Sequence, residues 1–283
     1  MSTTILRSTR QLVRSCDGTD ISYETVGAGD GLIVVGGAWR SGKDYLPLAR
    51  ALSRSFAVHV VDRRGRGHSG PQGADYTIAR EVEDLAAVRT QTGAAIVFGH
   101  SYGGLIALEA ARQSAVFTDV IVYEPGVSIA GSIRLGWMDA YRERLVAGDS
   151  RGAFAAMMRG AGGAPRAVER MPLWYVKLML LMFMKREQWR EVEQLLEPGL
   201  VEHQQVAALD APTADRYRSV TARVLLLGGS KSRWFAGTRL LDQLPPAIPD
   251  CASELVGGVD HIAPEKAPDL VAERVLRHLS ADG

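Results

Sequence analysis

The sequence predicts an α/β fold: a mostly parallel central sheet flanked by helices, with a block of helices inserted between two of its strands. Three observations carry this reading. Short, continuously apolar runs rich in Val, Ile and Leu recur next to glycine, helix-length segments separate most of them, and the strand signal lapses between positions 125 and 223 before it returns. Apolar runs of strand length without polar alternation fit strands covered on both faces, the mark of a parallel sheet.

In chain order the strand candidates are LIVVGG at 32–37, FAVHVVD at 56–62, AAIVFG at 94–99, DVIVYE at 119–124 and ARVLLLGG at 222–229. Helix-like spacing at 45–53, 78–90 and 105–113 lies between the first four, so strand and helix alternate. The interval without strands reads as helices over 137–147, 153–159, 172–185, 187–196 and 200–209, and an amphipathic helix over 268–279 closes the chain. The organisation expected is a core made of 1–126 and 220–283, interrupted by a helical insertion at 127–219.

A chain of 283 residues with 46% hydrophobic residues has enough apolar surface for one large core. The formal net charge is +1, with both signs spread along the sequence, so no long-range field favours nucleic acid or an anionic partner. A small uncharged molecule is the simpler partner. Cys16 and Cys251 lie far apart and outside any metal-binding spacing, which suggests neither a disulfide framework nor a metal site and makes a reducing, cytoplasmic location the default. The opening MSTTILRSTRQLVRSC is rich in Arg and Ser but lacks the apolar centre of a secretory signal, and it leads into strand-like sequence, so it reads as part of the fold. The most hydrophobic window, PLWYVKLMLLMFMK at 172–185, is too short to cross a bilayer and is interrupted by Lys177; it reads as a buried or pocket-facing helix. A monomer or homodimer without a membrane span is expected.

The stretch VFGHSYGGLIALE at 97–109 opens as a strand and resumes with helical spacing after Gly99-His100-Ser101-Tyr102-Gly103-Gly104. A Ser held on a tight strand-to-helix turn needs small neighbours, and Gly99, Gly103 and Gly104 supply that room. This is the G-x-S-x-G nucleophile elbow in its strand-turn-helix context. The turn lifts the Ser101 hydroxyl clear of the sheet and sets the Tyr102 N–H at a helix N-terminus, where it can face a developing oxyanion.

With this elbow the chain resembles the α/β-hydrolase fold superfamily, and the resemblance extends from about Val13 to Leu279. Asp62-Arg63-Arg64-Gly65-Arg66-Gly67-His68-Ser69 is similar to the D-x-R-G-x-G-x-S loop of many members, and Gly258-Val259-Asp260-His261 is similar to the loop that delivers their catalytic histidine. The resemblance implies His261 as general base and then acid for Ser101. The usual acid is missing: the loop where relatives carry it reads Gly228-Gly229-Ser230-Lys231-Ser232-Arg233, and a lysine cannot orient an imidazole. Glu124, after DVIVY, stands where some members place theirs and keeps the order nucleophile, acid, base. Asp260, Asp210 and Asp215 are the alternatives, and a turn-forming role for a Glu before Pro125 is the structural one. Gly36-Gly37-Ala38-Trp39 replaces the His-Gly-x of relatives, which implies the Ala38 N–H as second oxyanion donor, with Trp39 either at the entrance or packed on the insertion.

By the same resemblance the insertion corresponds to a cap over the active site. Met171, Met179, Met182 and Met184 with Trp174, Tyr175 and Phe183 concentrate adaptable apolar side chains there; packing between helices and contact with a hydrophobic substrate are both open. Trp39, His100, Trp174, Met179, Met182 and Phe183 are the substrate-contact candidates. The reading expected is a serine hydrolase for an ester, thioester or lactone of a small to medium hydrophobic molecule, with no metal or organic cofactor implied. Acyl transfer, cyclisation or a lyase reaction on the same site is the second reading, to which Lys231 adds a cation suited to an anionic substrate group. A ligand-binding member without efficient turnover is the third.

Overall fold

The computed structural model describes residues 8–280. Among them eight strands form one sheet: β1 (Thr9–Arg14), β2 (Asp20–Val26), β3 (Gly31–Val35), β4 (Ala57–Asp62), β5 (Ile96–His100), β6 (Asp119–Tyr123), β7 (Arg223–Gly229) and β8 (Cys251–Val256). Their order across the sheet is β1-β2-β4-β3-β5-β6-β7-β8. β1 and β2 run antiparallel to their neighbours, and every pairing from β4 through β3 to β8 is parallel. All five strands expected from apolar runs are present. β1 and β8 were not legible that way because they are edge strands with less cover: Thr9–Arg14 is exposed along nearly its whole length, and Ala252, Ser253 and Leu255 of β8 face water; β2 is mostly buried, but Asp20, Ser22, Glu24 and Thr25 break its apolar run. The first seven positions of the expected core, and part of the Arg- and Ser-rich opening, lie outside the described residues; the rest of that opening supplies β1.

The pleat sorts the buried side chains onto two faces. Ile33, Val35, Val97, Val120, Val122, Val224 and Leu226 point to one side, where α2 (Ile78–Thr92) and α3 (Tyr102–Gln113) cover them. Leu32, Val34, Phe98, Ile121, Tyr123, Leu225 and Leu227 point to the other, against α1 (Leu46–Leu52) and α13 (Pro268–Leu279). Both faces of the central strands are therefore dry, which is why these strands read as unbroken apolar runs. α2 continues past the expected residue 90 and stops where Gly93 takes a left-handed φ of +71°.

Between β6 and β7 the chain forms α4 (Met138–Val146), α5 (Ser150–Gly160), α6 (Arg166–Arg170), α7 (Leu173–Phe183), α8 (Arg186–Gln194) and α9 (Leu196–Ala208). The sequence pattern does not show α6, a single turn, and starts the last helix of the insertion at 200, four residues inside the observed α9, which contains Pro198 in its first turn. A proline in the first turn of a helix removes an N–H that has no intrahelical acceptor in any case, so the helix begins before it. After β7 come α10 (Arg233–Thr238), α11 (Leu240–Gln243) and α12 (Ala263–Lys266). Trp137, Tyr141, Ala153, Trp189, Leu196 and Leu200 form an apolar cluster within the insertion, while Val206 of α9 joins the main core.

The insertion is also tied to the sheet by charge. Arg63, just beyond β4, is 2% exposed and donates to Glu81 Oε1 of α2 at 2.8 Å and to Glu202 Oε1 of α9 at 2.5 Å. Arg66 pairs with the same Glu202 oxygen, and Glu202 is fully buried. Removing one partner of a buried ion pair leaves charges that water cannot reach. Glu202→Ala is therefore expected to destabilise the protein by about 3–5 kcal/mol in denaturant unfolding, with Glu202→Gln recovering part of the loss.

Candidate active site

The site forms where the carboxyl ends of β3, β5, β6 and β7 meet, as ligand sites do in parallel α/β sheets. β5 passes into α3 through a turn that only glycine permits. A Cβ on Gly99 would lie 2.4 Å from the Gly103 carbonyl oxygen, and one on Gly103 would lie 2.2 Å from that of Val35. Helix and strands are pressed together there, and Ser101 between them holds φ +53° and ψ −119°. A non-glycine residue in that region costs about 1–3 kcal/mol and persists only where its surroundings enforce it. Enforcement comes from both sides of the peptide: Ser101 N–H donates to the Tyr123 carbonyl at 3.0 Å, and its carbonyl accepts from Gly126 N–H at 2.8 Å.

Glu124 ends β6 with its N–H on the Leu227 carbonyl (2.8 Å) and a φ of +44°. That backbone aims a fully buried carboxylate across the end of β7. Oε1 accepts from Gly229 N–H at 2.8 Å; Oε2 accepts from the Ser232 hydroxyl at 2.7 Å and from His261 Nδ1 at 2.7 Å. A carboxylate only accepts, so Nδ1 of His261 carries a proton, and in the neutral ring the lone pair lies on Nε2. The other acid candidates are engaged elsewhere. Asp210 binds Ser128 Oγ at 2.5 Å and Gly131 N–H at 2.9 Å, Asp215 pairs with Arg218, and Asp260 accepts from Ile262 N–H.

A second polar chain supports the same pair from the other side. His100 Nε2 lies 2.8 Å from the His261 carbonyl oxygen, so Nε2 is the donor and Nδ1 must accept. Tyr45 Oη, 2.7 Å from that Nδ1, therefore donates to it, and in turn accepts the Gly37 N–H at 2.8 Å. Burial, with His261 and Arg40 nearby, holds the His100 pKa well below the ordinary imidazole value. The ring stays neutral, as this chain of bonds requires. It links the loop after β3 to the backbone of His261.

Tyr102 opens α3, so its N–H has no acceptor within the helix. Gly37 passes close enough to Ser101 that a Cβ there would lie 3.1 Å from the Ser101 Cβ, and Ala38 follows it along the wall of the cavity. Ser101, Tyr102, Ala38, His100 and His261 all line one cavity of about 540 Å³. Residues far apart in sequence build its apolar wall. His203 of α9 stacks on Trp39 with ring centroids 4.6 Å apart, Trp137 meets both rings, and Trp234 lies 4.8 Å from the His261 ring.

Of the expected substrate contacts, Trp39 and His100 line this cavity. Both His100 nitrogens are occupied, so its ring offers a wall and no free hydrogen bond. Met179 and Phe183 line a neighbouring cleft of about 840 Å³ instead. Trp174 and Met182 line neither and are 66% and 58% exposed. The apolar run of α7 was a poor guide here because the insertion turns that face of the helix outward. Lys231 does line the cavity, with its N–H on the Val259 carbonyl at 2.8 Å. Sequence reasoning missed Tyr45, Ser232, Trp137, His203 and Trp234; Ser232 lies in the loop after β7 that was read only for its missing acid, and the other four lie in no local motif and reach the site through the packing of distant segments.

The profile of the alpha/beta hydrolase family matches residues 32–274. The chain is 31% identical over 153 residues, 51% of its length, to a pimeloyl-[acyl-carrier protein] methyl ester esterase of Vibrio cholerae serotype O1. It is 36% identical over 88 residues, 31% of its length, to the esterase of the same name from Stenotrophomonas maltophilia R551-3. The matched part spans 58% and 33% of those two relatives. Among solved structures, an alpha/beta hydrolase from Sphaerobacter thermophilus superposes with a TM-score of 0.79 at 29% identity, covering 95% of this chain and all of that one. The chain belongs to the alpha/beta hydrolase family.

Proposed function

We propose that the protein is a serine hydrolase that cleaves an ester, thioester or lactone of a small to medium hydrophobic molecule through an acyl-enzyme. The observation that carries this reading is the buried Glu124 carboxylate bonded to His261 Nδ1, in one site with Ser101 on its constrained turn. In this reading His261 Nε2 takes the Ser101 proton as the hydroxyl attacks the carbonyl, and Glu124 stabilises the imidazolium that forms. The N–H groups of Tyr102 and Ala38 hold the oxyanion. His261 returns the proton to the leaving group, and water deacylates the serine by the same steps in reverse order. Residues 127–219 serve as the cap, whose Trp137 and His203 with Trp39 favour an apolar substrate group. The esterase names of the sequence relatives support the ester class. Free thiols at Cys16 and Cys251 suit a cytoplasmic setting.

Turnover of short-chain p-nitrophenyl esters tests this reading: the parent hydrolyses them and Ser101→Ala does not, and equal rates would overturn the assignment. Glu124→Gln is expected to lower kcat by about 10³–10⁴-fold with little change in KM, since it removes the acceptor that fixes the His261 tautomer. Tyr45→Phe removes one hydroxyl from the chain that joins Gly37 to His100. With a net hydrogen bond worth about 1 kcal/mol, its kcat should fall about five- to tenfold at unchanged KM.

A further inference from the structure

Among the described residues three imidazoles line the Ser101 cavity, and two of them are accounted for. His261 serves Ser101 in the proposed reaction, and His100 has both ring nitrogens occupied. His203 is the third. Its Nδ1 lies 2.7 Å from the Gly199 carbonyl oxygen, one turn back along α9, and a carbonyl only accepts, so Nδ1 carries a proton. Burial holds the His203 pKa below the ordinary imidazole value, so the ring is neutral near pH 7 and its lone pair lies on Nε2. No group among the described residues donates to that nitrogen, and it is not sealed from water.

The ring is also fixed in orientation. Trp39 stacks on it with centroids 4.6 Å apart, and Trp137 lies at 72° to it with centroids 5.1 Å apart. Gly199 leaves room for the stack, because a Cβ there would collide with the Trp39 indole. An acceptor held in one tautomer and one orientation, in a wall otherwise built by tryptophans, discriminates between the groups pressed against it. An apolar group would strip the lone pair of water and leave it unpaired, whereas an O–H or N–H would bond to it. Apolar pockets orient their ligands through a few polar groups of this kind.

We propose that His203 Nε2 is a specificity-determining acceptor, which selects esters bearing a hydroxyl or N–H donor on the group that lies along the aromatic wall. The inference rests on the hydrolytic reading and narrows its substrate class to a hydrophobic ester with a polar donor. His203 touches the substrate and takes no part in proton transfer at Ser101, so its contribution is read in the choice between substrates.

The probes are the p-nitrophenyl esters of phenylacetic acid and of its meta-hydroxy, para-hydroxy, meta-fluoro and para-fluoro derivatives. Fluorine is close to hydroxyl in size but cannot donate. In the parent, kcat/KM for at least one hydroxy ester should exceed that of its fluoro partner about five- to tenfold. His203→Phe, which keeps an aromatic ring against Trp39 but has no acceptor, should bring that ratio to about one. A merely structural role would lower both rates and leave the ratio as it was. In the parent itself, the nitrogen NMR resonance of His203 Nε2 should move upfield on addition of phenol and stay in place with fluorobenzene. Equal hydroxy and fluoro rates in the parent, a ratio retained by His203→Phe, or an Nε2 resonance indifferent to phenol would overturn the proposal. Hydrolysis of none of these esters, with no fluorophosphonate adduct on Ser101, would overturn the hydrolytic reading itself and the inference with it.

Discussion

The arrangement of this site depends on one buried carboxylate. Glu124 leaves β6 with a left-handed backbone, reaches across the end of β7, and binds Gly229 N–H, the Ser232 hydroxyl and His261 Nδ1 with its two oxygens. A fully buried carboxylate without such donors would be costly, and one that lacked the imidazole would leave the histidine free to choose its tautomer. The same three bonds join strand β6, the loop after β7 and the loop after β8. Lys231 stands in the loop where the resemblance implies an acid; the carboxylate bonded to His261 Nδ1 comes instead from the end of the neighbouring strand.

Precision at Ser101 comes from the sheet rather than from local preference. Parallel register sets Gly99 beside Val35 and Val122, so the turn that follows β5 is clamped between two strands before α3 begins. Positive φ at Trp39, Ser101 and Glu124 marks three points at which the chain is held off its usual conformations, all at the same end of the sheet. The chain from Gly37 through Tyr45 and His100 to the His261 carbonyl ties the loop after β3 to the loop that bears the histidine. Movement of either loop would break a buried hydrogen bond of this chain.

Much of this could be read from the sequence, for identifiable reasons. The five central strands are buried on both faces and so appear as unbroken apolar runs; β1 is exposed along nearly its whole length and β8 over half of it, and neither forms such a run. Ser101 stood out because the glycines around it are dictated by a tight strand-to-helix turn, whereas His261 was expected only because its loop resembles the one that carries the histidine in the superfamily. Glu124 was expected only through the resemblance, which places the acid of some members at that strand end, and the structure sets its carboxylate 2.7 Å from His261 Nδ1. The cavity wall was not legible: His203 stacks on Trp39 and Trp234 lies against His261 only because α9 and α10 fold back over the sheet, and periodicity does not tell which face of a helix meets a neighbour. α7 illustrates the same limit. Its composition suggested a buried or pocket-facing helix; Val176 and Leu180 are buried and Met179 and Phe183 line a cleft, while Trp174 and Leu181 face water.

The most direct test of the account is the rate at which a fluorophosphonate labels the protein, followed by intact mass and peptide mapping, in the parent and in Glu124→Gln. The reagent needs an activated serine and an oxyanion site but no knowledge of the natural substrate. The account predicts one adduct per chain, on Ser101, forming about a thousandfold more slowly once the Glu124 carboxylate is removed. An adduct on another residue, no adduct on folded protein, or equal labelling rates in the two proteins would contradict the claim that Glu124 and His261 activate Ser101.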